Sequence, residues 1–242
     1  MTALVDDSSF SGTTSSFALG VTGFNREAAL VAGPGLTTIA GGGDAAALAE
    51  RLEAAVEGAI GIVSFGLTGA LADGLAIGDW IVADRLAGAT ELETDPRWRD
   101  AALARLPGAR AGGFFADGRM IDTVAEKRAL GERHQALGVD MESHVAGAVA
   151  KRHGLPFAII RIVSDGVDHL LPPAIVCSMR PDGGINGGAM LRSLAGNPAQ
   201  LPDLIATMRN AAAAFRGLGR GGRLLGPALG CPYLGQLALD VG

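Results

Sequence analysis

The chain has 242 residues, of which 48% are hydrophobic and 19% charged, with a formal net charge of -5 at pH 7. That length and apolar content support a sizeable buried core and exclude a largely disordered chain. The acidic balance argues against a nucleic-acid partner, which selects a basic patch or stripe. Aromatic residues are only 5%, so Ala, Val, Leu and Ile must fill the core, as where helices pack closely on a buried sheet.

The two cysteines, Cys177 and Cys231, and the four histidines show no metal-ligand spacing. No metal site and no disulfide framework are expected, and a reducing cytoplasm is the simplest setting. Only Lys127 and Lys151 are lysines, so cationic chemistry falls mostly to Arg. No glycine-rich loop ends in Lys-Ser or Lys-Thr, which removes a P-loop nucleotide hydrolase.

Residues 1–16 are Ser/Thr-rich, carry Asp6 and Asp7, and are expected to be disordered. They lack the basic start and apolar stretch of a signal peptide. Phe17 to Thr22 predicts a strand, Asn25 to Val31 a short helix and Leu36 to Ala40 a second strand. Gly41-Gly42-Gly43-Asp44 opens a helix reaching about Glu57. Ile60 to Phe65 is continuously apolar, the mark of a strand covered on both faces. The wider apolar stretch from Ala59 to Gly78 is interrupted by Gly, Ser and Thr and contains Asp73. It reads as a buried strand and turn, since a membrane span needs about 20 predominantly apolar residues.

Gly78-Asp79 introduces a strand through Ala83, Ala111 to Ala116 forms another, and Thr123 to Gln135 is helical. A helix from about Glu142 to His153 is stopped by Gly154 and Pro156. Phe157 to Val163 is the clearest strand. Pro202 to Gly217 predicts a final helix, and residues 218–242 a Gly/Arg-rich and then apolar tail. The pattern is a single α/β domain over residues 17–217, a mostly parallel or mixed sheet flanked by helices.

Ligands of such sheets sit beyond the carboxyl ends of the strands. Three segments fall there: Gly66-Leu67-Thr68-Gly69, Asp140-Met141-Glu142-Ser143 and Ser164-Asp165. A partly desolvated carboxyl at Asp165 has a raised pKa and acts as an acid near neutral pH, although Ser-Asp-Gly is also ordinary turn chemistry. Glu142 is placed either to serve the helix dipole or to accept hydrogen bonds from two sugar hydroxyls, and Asp140 is the better pure cap. Gly41-Gly42-Gly43-Asp44-Ala45-Ala46 has the spacing of a dinucleotide-binding turn, but Ser64, Phe65 and Gly66 stand where its supporting acid belongs. Amides at that helix start suit an anion such as phosphate, or form a plain turn capped by Asp44. Arg161 interrupts an apolar strand and must be paired with a carboxylate. His144 and His153 read as surface or rim residues, and His169 as a loop residue within reach of a ligand.

Taken together, Val139-Asp140-Met141-Glu142-Ser143, a helix, and Pro156 to Asp165 resemble the signature of purine nucleoside phosphorylases and methylthioadenosine/adenosylhomocysteine nucleosidases. Phe65 to Leu71, with Gly74-Leu75 and Gly78-Asp79, is similar to the glycine motif of that superfamily, and Leu19 to Gly23 to its first strand. The likeness covers roughly residues 17 to 170. Met179 to Gly183, Leu191 to Leu194 and Gln200 to Pro202 resemble the hopanoid-associated phosphorylases, which act on adenosylhopane. The resemblance implies an enzyme that cleaves the N-glycosidic bond of a purine nucleoside, with adenine released from a lipid-linked substrate. It implies phosphate as co-substrate, no cofactor, and a homo-oligomer, either dimer or hexamer. By the same likeness Glu142 holds the ribose hydroxyls, Met141 packs beside the sugar and Asp165 protonates the base at N7. Ser164 and Gly66, Leu67, Thr68 and Gly69 lie against base and sugar.

The nucleophile's side departs from the pattern. The glutamate that activates water in hydrolytic members falls by count on Ala28, and Glu27 points about 100° away from it on a helix. Arg26 lies close to the place of a phosphorylase arginine, and Leu67 replaces a motif serine. A phosphate site from Gly20, Gly23, Arg26, Gly42 and Gly43 is therefore expected, with phosphorolysis ahead of hydrolysis and Glu27 the base should water attack. A non-catalytic nucleoside sensor and a Rossmann-type oxidoreductase are the competing classes. Arg216, Arg220 and Arg223 before the apolar Leu224 to Leu239 suggest peripheral attachment to an anionic bilayer, with packing of this tail on the domain as the alternative.

Overall fold

A computed structural model describes residues 16–234 except Asp122 and Pro181. Strands and helices follow one another as β1 (Phe17–Thr22), α1 (Asn25–Val31), β2 (Leu36–Ala40), α2 (Ala45–Ala55) and β3 (Ala59–Ala70). Then come β4 (Trp80–Gly88), β5 (Leu92–Glu93), α3 (Pro96–Arg105), β6 (Arg110–Ala116), α4 (Val124–His134) and β7 (Ala136–Asp140). The chain continues through α5 (Ser143–His153), β8 (Phe157–Asp165), α6 (Pro173–Val176), α7 (Gly187–Gly196) and α8 (Leu201–Leu225). The single α/β domain with a mixed sheet is as the residue pattern predicts. The short β5 and β7 and the helices α3, α6 and α7 are additions to it.

The strands form one sheet in the order β2-β1-β3-β7-β6-β4-β5, and β8 pairs with both β3 and β4. Through β8 the path β3-β7-β6-β4 closes on itself, so these strands make a barrel from which β1 and β2 extend. β8 runs parallel to β3 and antiparallel to β4, and closure leaves neither β3 nor β4 an open edge along that stretch.

Both faces of β8 are covered, the reason its sequence is apolar without alternation. Ile159 and Val163 pack with Leu48 and Leu52 of α2 and Val145 and Val149 of α5. The intervening Ala158, Ile160 and Ile162 pack with Trp98 of α3 and Ala214 and Leu218 of α8. Side-chain alternation along a strand thus divides the core into two layers.

The expected helix end at Gly217, and with it the domain boundary, falls inside α8, which is 25 residues long. Each interior glycine costs a helix about 1 kcal/mol relative to alanine, yet here bare backbone is what the packing requires. A Cβ on Gly217 would overlap Ile162, and one on Gly221 the Trp80 ring. Gly222 faces α1, where a Cβ would lie 3.0 Å from Val31. After α8 the chain turns back at Pro227–Gly230. Leu225, Ala228, Leu229 and Cys231 are buried beside Trp98, whose Nε1 donates to the Leu229 carbonyl at 3.0 Å. This part of the tail packs on the domain. Among the described residues no helix is long and apolar enough to cross a membrane. Residues 1–15 and 235–242, the bulk of the expected N-terminal segment and the end of the tail, lie outside the described residues.

Candidate active site

The turn between β1 and α1 and the carboxyl-end residues of β3, β7 and β8 surround a cavity of about 450 Å³. One of its buried polar residues comes from the first turn of α1. Glu27 is 1% exposed. Its Oε2 accepts from the Gly23 and Phe24 amides at 2.7 and 2.9 Å, and its Oε1 from the Leu67 amide at 2.8 Å. The carboxylate reaches back over the helix start as in a capping box, which carries it into the cavity, whereas Ala28 is not part of the lining. Burial pushes the Glu27 carboxyl up from its ordinary value, against the pull of Arg161 and the three amides. Gly66, with φ +150°, makes room: a Cβ there would come within 2.8 Å of the Glu27 carboxylate.

Asp140 ends β7 and does two jobs. Its Oδ1 accepts from the Glu142 and Ser143 amides at 3.1 and 2.8 Å, which starts α5. Its Oδ2 meets Arg161 Nη2 at 2.5 Å, so Asp140 is the carboxylate that the buried arginine demands. Arg161 also donates to Ser64 Oγ at 2.5 Å and to the Leu67 carbonyl at 3.3 Å. Its Nη2 lies 3.9 Å from Glu142 Oε2.

Because Asp140 takes the cap, Glu142 is left to serve the cavity. It is 5% exposed, and burial, with the like charges of Asp140 and Glu27, pushes its carboxyl up from 4.5 to about 7 despite Arg161. Glu27 and Glu142 face one another across Gly23, where a Cβ would lie 3.4 Å from one carboxylate and 3.6 Å from the other.

At the end of β8, Asp165 pairs in register with Gly69, just past an irregularity between Thr68 and Gly69. Ser164 Oγ is hydrogen-bonded to Asp165 Oδ1 at 3.0 Å. The other carboxylate oxygen meets Lys127 Nζ at 2.7 Å, the lysine side chain being 4% and the aspartate 15% exposed. Lys127 also donates to the carbonyls of Gly166 at 2.9 Å and His169 at 2.8 Å, so its three N–H bonds are all committed. This lysine escaped the residue reading. The available signal was its place on the inward face of α4 with Leu130 and Gly131.

Met141, Leu67, Thr68, Gly69 and Ser164 line the cavity, as does His169, and Gly66 lies behind Glu27 outside the lining. Thr68 Oγ1 latches β3 to β7 through the Val139 carbonyl at 2.8 Å and amide at 3.0 Å. Of the residues expected to hold phosphate, Gly23 and Arg26 line the cavity, and Gly20, Gly42 and Gly43 do not. Gly20 sits inside β1, paired with Thr38 and Val63. The Gly23 amide is taken by Glu27, and the Gly41 and Gly42 amides donate to the Thr22 and Gly23 carbonyls at 2.7 and 2.9 Å. Gly43 abuts Met141, where a Cβ would lie 3.1 Å from its methyl group. Arg26 reaches the rim with its guanidinium stacked on Phe215, 4.3 Å from the ring centroid. The outer wall is apolar, built from Ile121, Leu170, Leu171, Ile175, Met208 and Phe215.

The model of the phosphorylase superfamily matches residues 15–174. No curated protein sequence matches the chain significantly. Solved structures similar to it include the 5′-methylthioadenosine/S-adenosylhomocysteine nucleosidase of S. pneumoniae with a transition-state inhibitor, at 17% identity and TM-score 0.53 over 84% of this chain and 99% of that one. The corresponding nucleosidase of Neisseria meningitidis, in complex with methylthio-immucillin-A, gives 15% identity and TM-score 0.60 over 86% and 97%. The futalosine hydrolase of Helicobacter pylori gives 14% identity and TM-score 0.56 over 86% and 97%. At these identities the structural likeness is one of fold, while the family match spans β1 to β8 with Glu27, Lys127, Glu142 and Asp165 inside it. The chain belongs to the phosphorylase superfamily.

Proposed function

We propose that this enzyme hydrolyses the N-glycosidic bond of a purine nucleoside, with Glu27 activating the water. The observation that carries the reading is the buried Glu27 carboxylate, which faces Glu142 across Gly23 in the cavity. Sequence counting favours phosphate, but the Gly23, Gly41 and Gly42 amides that would bind it are already committed. Arg26 and the Gly43 amide are what remain on the phosphorolytic side.

In this mechanism Glu142 accepts hydrogen bonds from the ribose hydroxyls and Met141 packs on the sugar, which fixes C1′ near Glu27. The base lies toward Gly69 and Asp165. As the C1′–N9 bond breaks, water attacks C1′ and gives its proton to Glu27. The departing purine takes up a proton at N7 from the Asp165–Lys127 pair, so the products are free base and free sugar. The buried Glu27 and Glu142 carboxylates beside the sugar favour the oxocarbenium-like charge that develops there.

The apolar outer wall suits a nucleoside with an apolar 5′ substituent. Adenosylhopane is a large example of that class and methylthioadenosine a small one. The test is incubation of both with the enzyme in phosphate-free buffer, followed by addition of phosphate, with released adenine and the sugar product identified. Adenine release indifferent to phosphate, with free sugar formed, is the expected result. Strict phosphate dependence with a sugar 1-phosphate product would overturn hydrolysis, and no release from any purine nucleoside would overturn the reaction itself.

A further inference from the structure

Beside the substrate cavity, α1 and α8 border an open surface groove of about 460 Å³, lined by the exposed Arg26, Arg216, Arg220 and Arg223 with Leu30 and Phe215. Arg216 and Arg220 are four apart on α8 and Arg223 follows three later, so the three share one helix face. Like charges at this spacing repel. Among the described residues none of the four arginines forms an ion pair. The helix dipole accounts for Arg223, in the last turn of α8, but its effect does not extend back to Arg216.

The packing of the two helices explains how the groove is made. Gly219 and Gly222 let α1 approach closely, with Leu30 3.7 Å and Val31 3.0 Å from the positions their Cβ atoms would take. Arg223 Nη1 lies 3.8 Å from the same point on Gly219, so its guanidinium folds back along α8 toward α1. Arg26 enters from the α1 side, its guanidinium over the Phe215 ring.

We propose that this groove is a binding site for a phosphate-type anion, beside the substrate cavity and distinct from it. Guanidinium groups suit phosphate oxygens through paired hydrogen bonds that ammonium groups do not offer. Arg26 and Phe215 border both hollows, so an anion held here steadies the wall against which the outer part of the substrate rests. Soluble phosphorylated compounds and phospholipid headgroups share this chemistry.

The test titrates pyrophosphate into the full-length enzyme by calorimetry and, in parallel, sediments the enzyme with phosphatidylglycerol vesicles and with zwitterionic controls. Both are repeated with the double variant Arg216→Gln/Arg220→Gln, whose fold is checked by circular dichroism. We expect saturable pyrophosphate binding that weakens about tenfold for each arginine removed, with nucleoside cleavage measured without pyrophosphate unchanged. Vesicle binding lost in the variant without any pyrophosphate binding supports the site and assigns the anion to a lipid headgroup. Absence of both kinds of binding, or binding that the variant retains in full, overturns the proposal. Should the double variant not fold, Arg220→Gln alone gives the same reading at smaller amplitude.

Discussion

Replacing Glu27 with glutamine separates the chemistry proposed here from the structural work the same side chain does. The carboxylate accepts from the Gly23, Phe24 and Leu67 amides at 2.7, 2.9 and 2.8 Å. Glutamine retains one acceptor oxygen. Turned toward Gly23 and Phe24, it keeps two of the three bonds and sets its NH2 against the Leu67 amide. An unsatisfied buried donor costs about 1–3 kcal/mol. Burial is the largest influence on this carboxyl and acts against its charged form, so losing the charge offsets part of that cost. The net destabilisation is then below about 2 kcal/mol. A general base contributes about 100- to 10,000-fold to the rate, equivalent to about 2.7–5.4 kcal/mol of activation free energy. The variant is therefore expected to fold, to bind the nucleoside, and to release adenine at least about 100-fold more slowly. Steady-state adenine release, with thermal unfolding on the same preparation, reads both quantities. A folded Glu27→Gln enzyme with wild-type turnover in phosphate-free buffer would refute the reasoning. Activity of the variant that phosphate restores would return the reaction to phosphorolysis.

Three further perturbations follow from the same geometry. With the Glu142 carboxyl at about 7, kcat/KM for ribosides should fall as pH drops through that value, because the carboxylate is the form that accepts both hydroxyls. Glu142→Gln should flatten this limb and cost ribosides about 10- to 100-fold more than 2′,3′-dideoxy analogues, and equal losses would reduce Glu142 to a structural role. Stability runs the opposite way. A carboxyl raised from 4.5 to about 7 binds its proton more tightly in the folded state, so its contribution is complete below the lower value and is lost as pH rises through the upper one. Denaturant titrations on either side of that window should show wild type losing stability with rising pH and Glu142→Gln losing less. Lys127→Met leaves Asp165 Oδ2 and two carbonyls without their donor and should cost about 3 kcal/mol of stability together with a fall in kcat. Recovery of kcat in Lys127→Arg would show that the charge matters, and an unaltered kcat in a folded Lys127→Met would remove the lysine from the proton path. Gly221→Ala adds a methyl group where the Trp80 ring already lies. It should destabilise the fold by about 1–3 kcal/mol despite the better helix propensity, and a raised Tm would contradict the packing of α8.

How far the chain could be read in advance depended on whether local or distant partners decide each segment. β1, α1 and β2 fall where apolar runs and glycine breaks predict them, since neighbouring residues suffice to set those limits. β3 does not stop at Phe65 but continues through Gly66 to Ala70, because that glycine is not a breaker here: it gives Glu27 the space a side chain would fill. α3 carried a usable local signal in Asp95-Pro96, and the Asp95 side chain does accept from the Trp98 amide at 2.8 Å. Nothing local foretells that residues 217–222 stay helical, since propensity argues against it and the deciding partners, Trp80, Ile162 and α1, are far away in sequence. The same distinction governs the site. Glu142 and Asp165 stand at strand ends, where a pattern of strands is enough to place them. A helical angle makes Glu27 only the second choice, the base should water attack, yet a carboxylate in a capping box bends back across the helix start, so direction along the helix wheel is the wrong measure. Arg161 shows what an isolated polar residue can reveal: an arginine in an apolar strand states that a carboxylate must be near, but the closure of β8 onto β3 beside β7 is what selects Asp140. Lys127 stated the same requirement from the inward face of α4. Its partner was an aspartate 38 residues away, already singled out for other reasons. A buried cation without a local partner and a strand-end carboxylate without a known counter-charge form two halves of one inference. Pairing such halves before the fold is known would have placed a proton-holding pair, and not a lone acid, at the base end of the cavity.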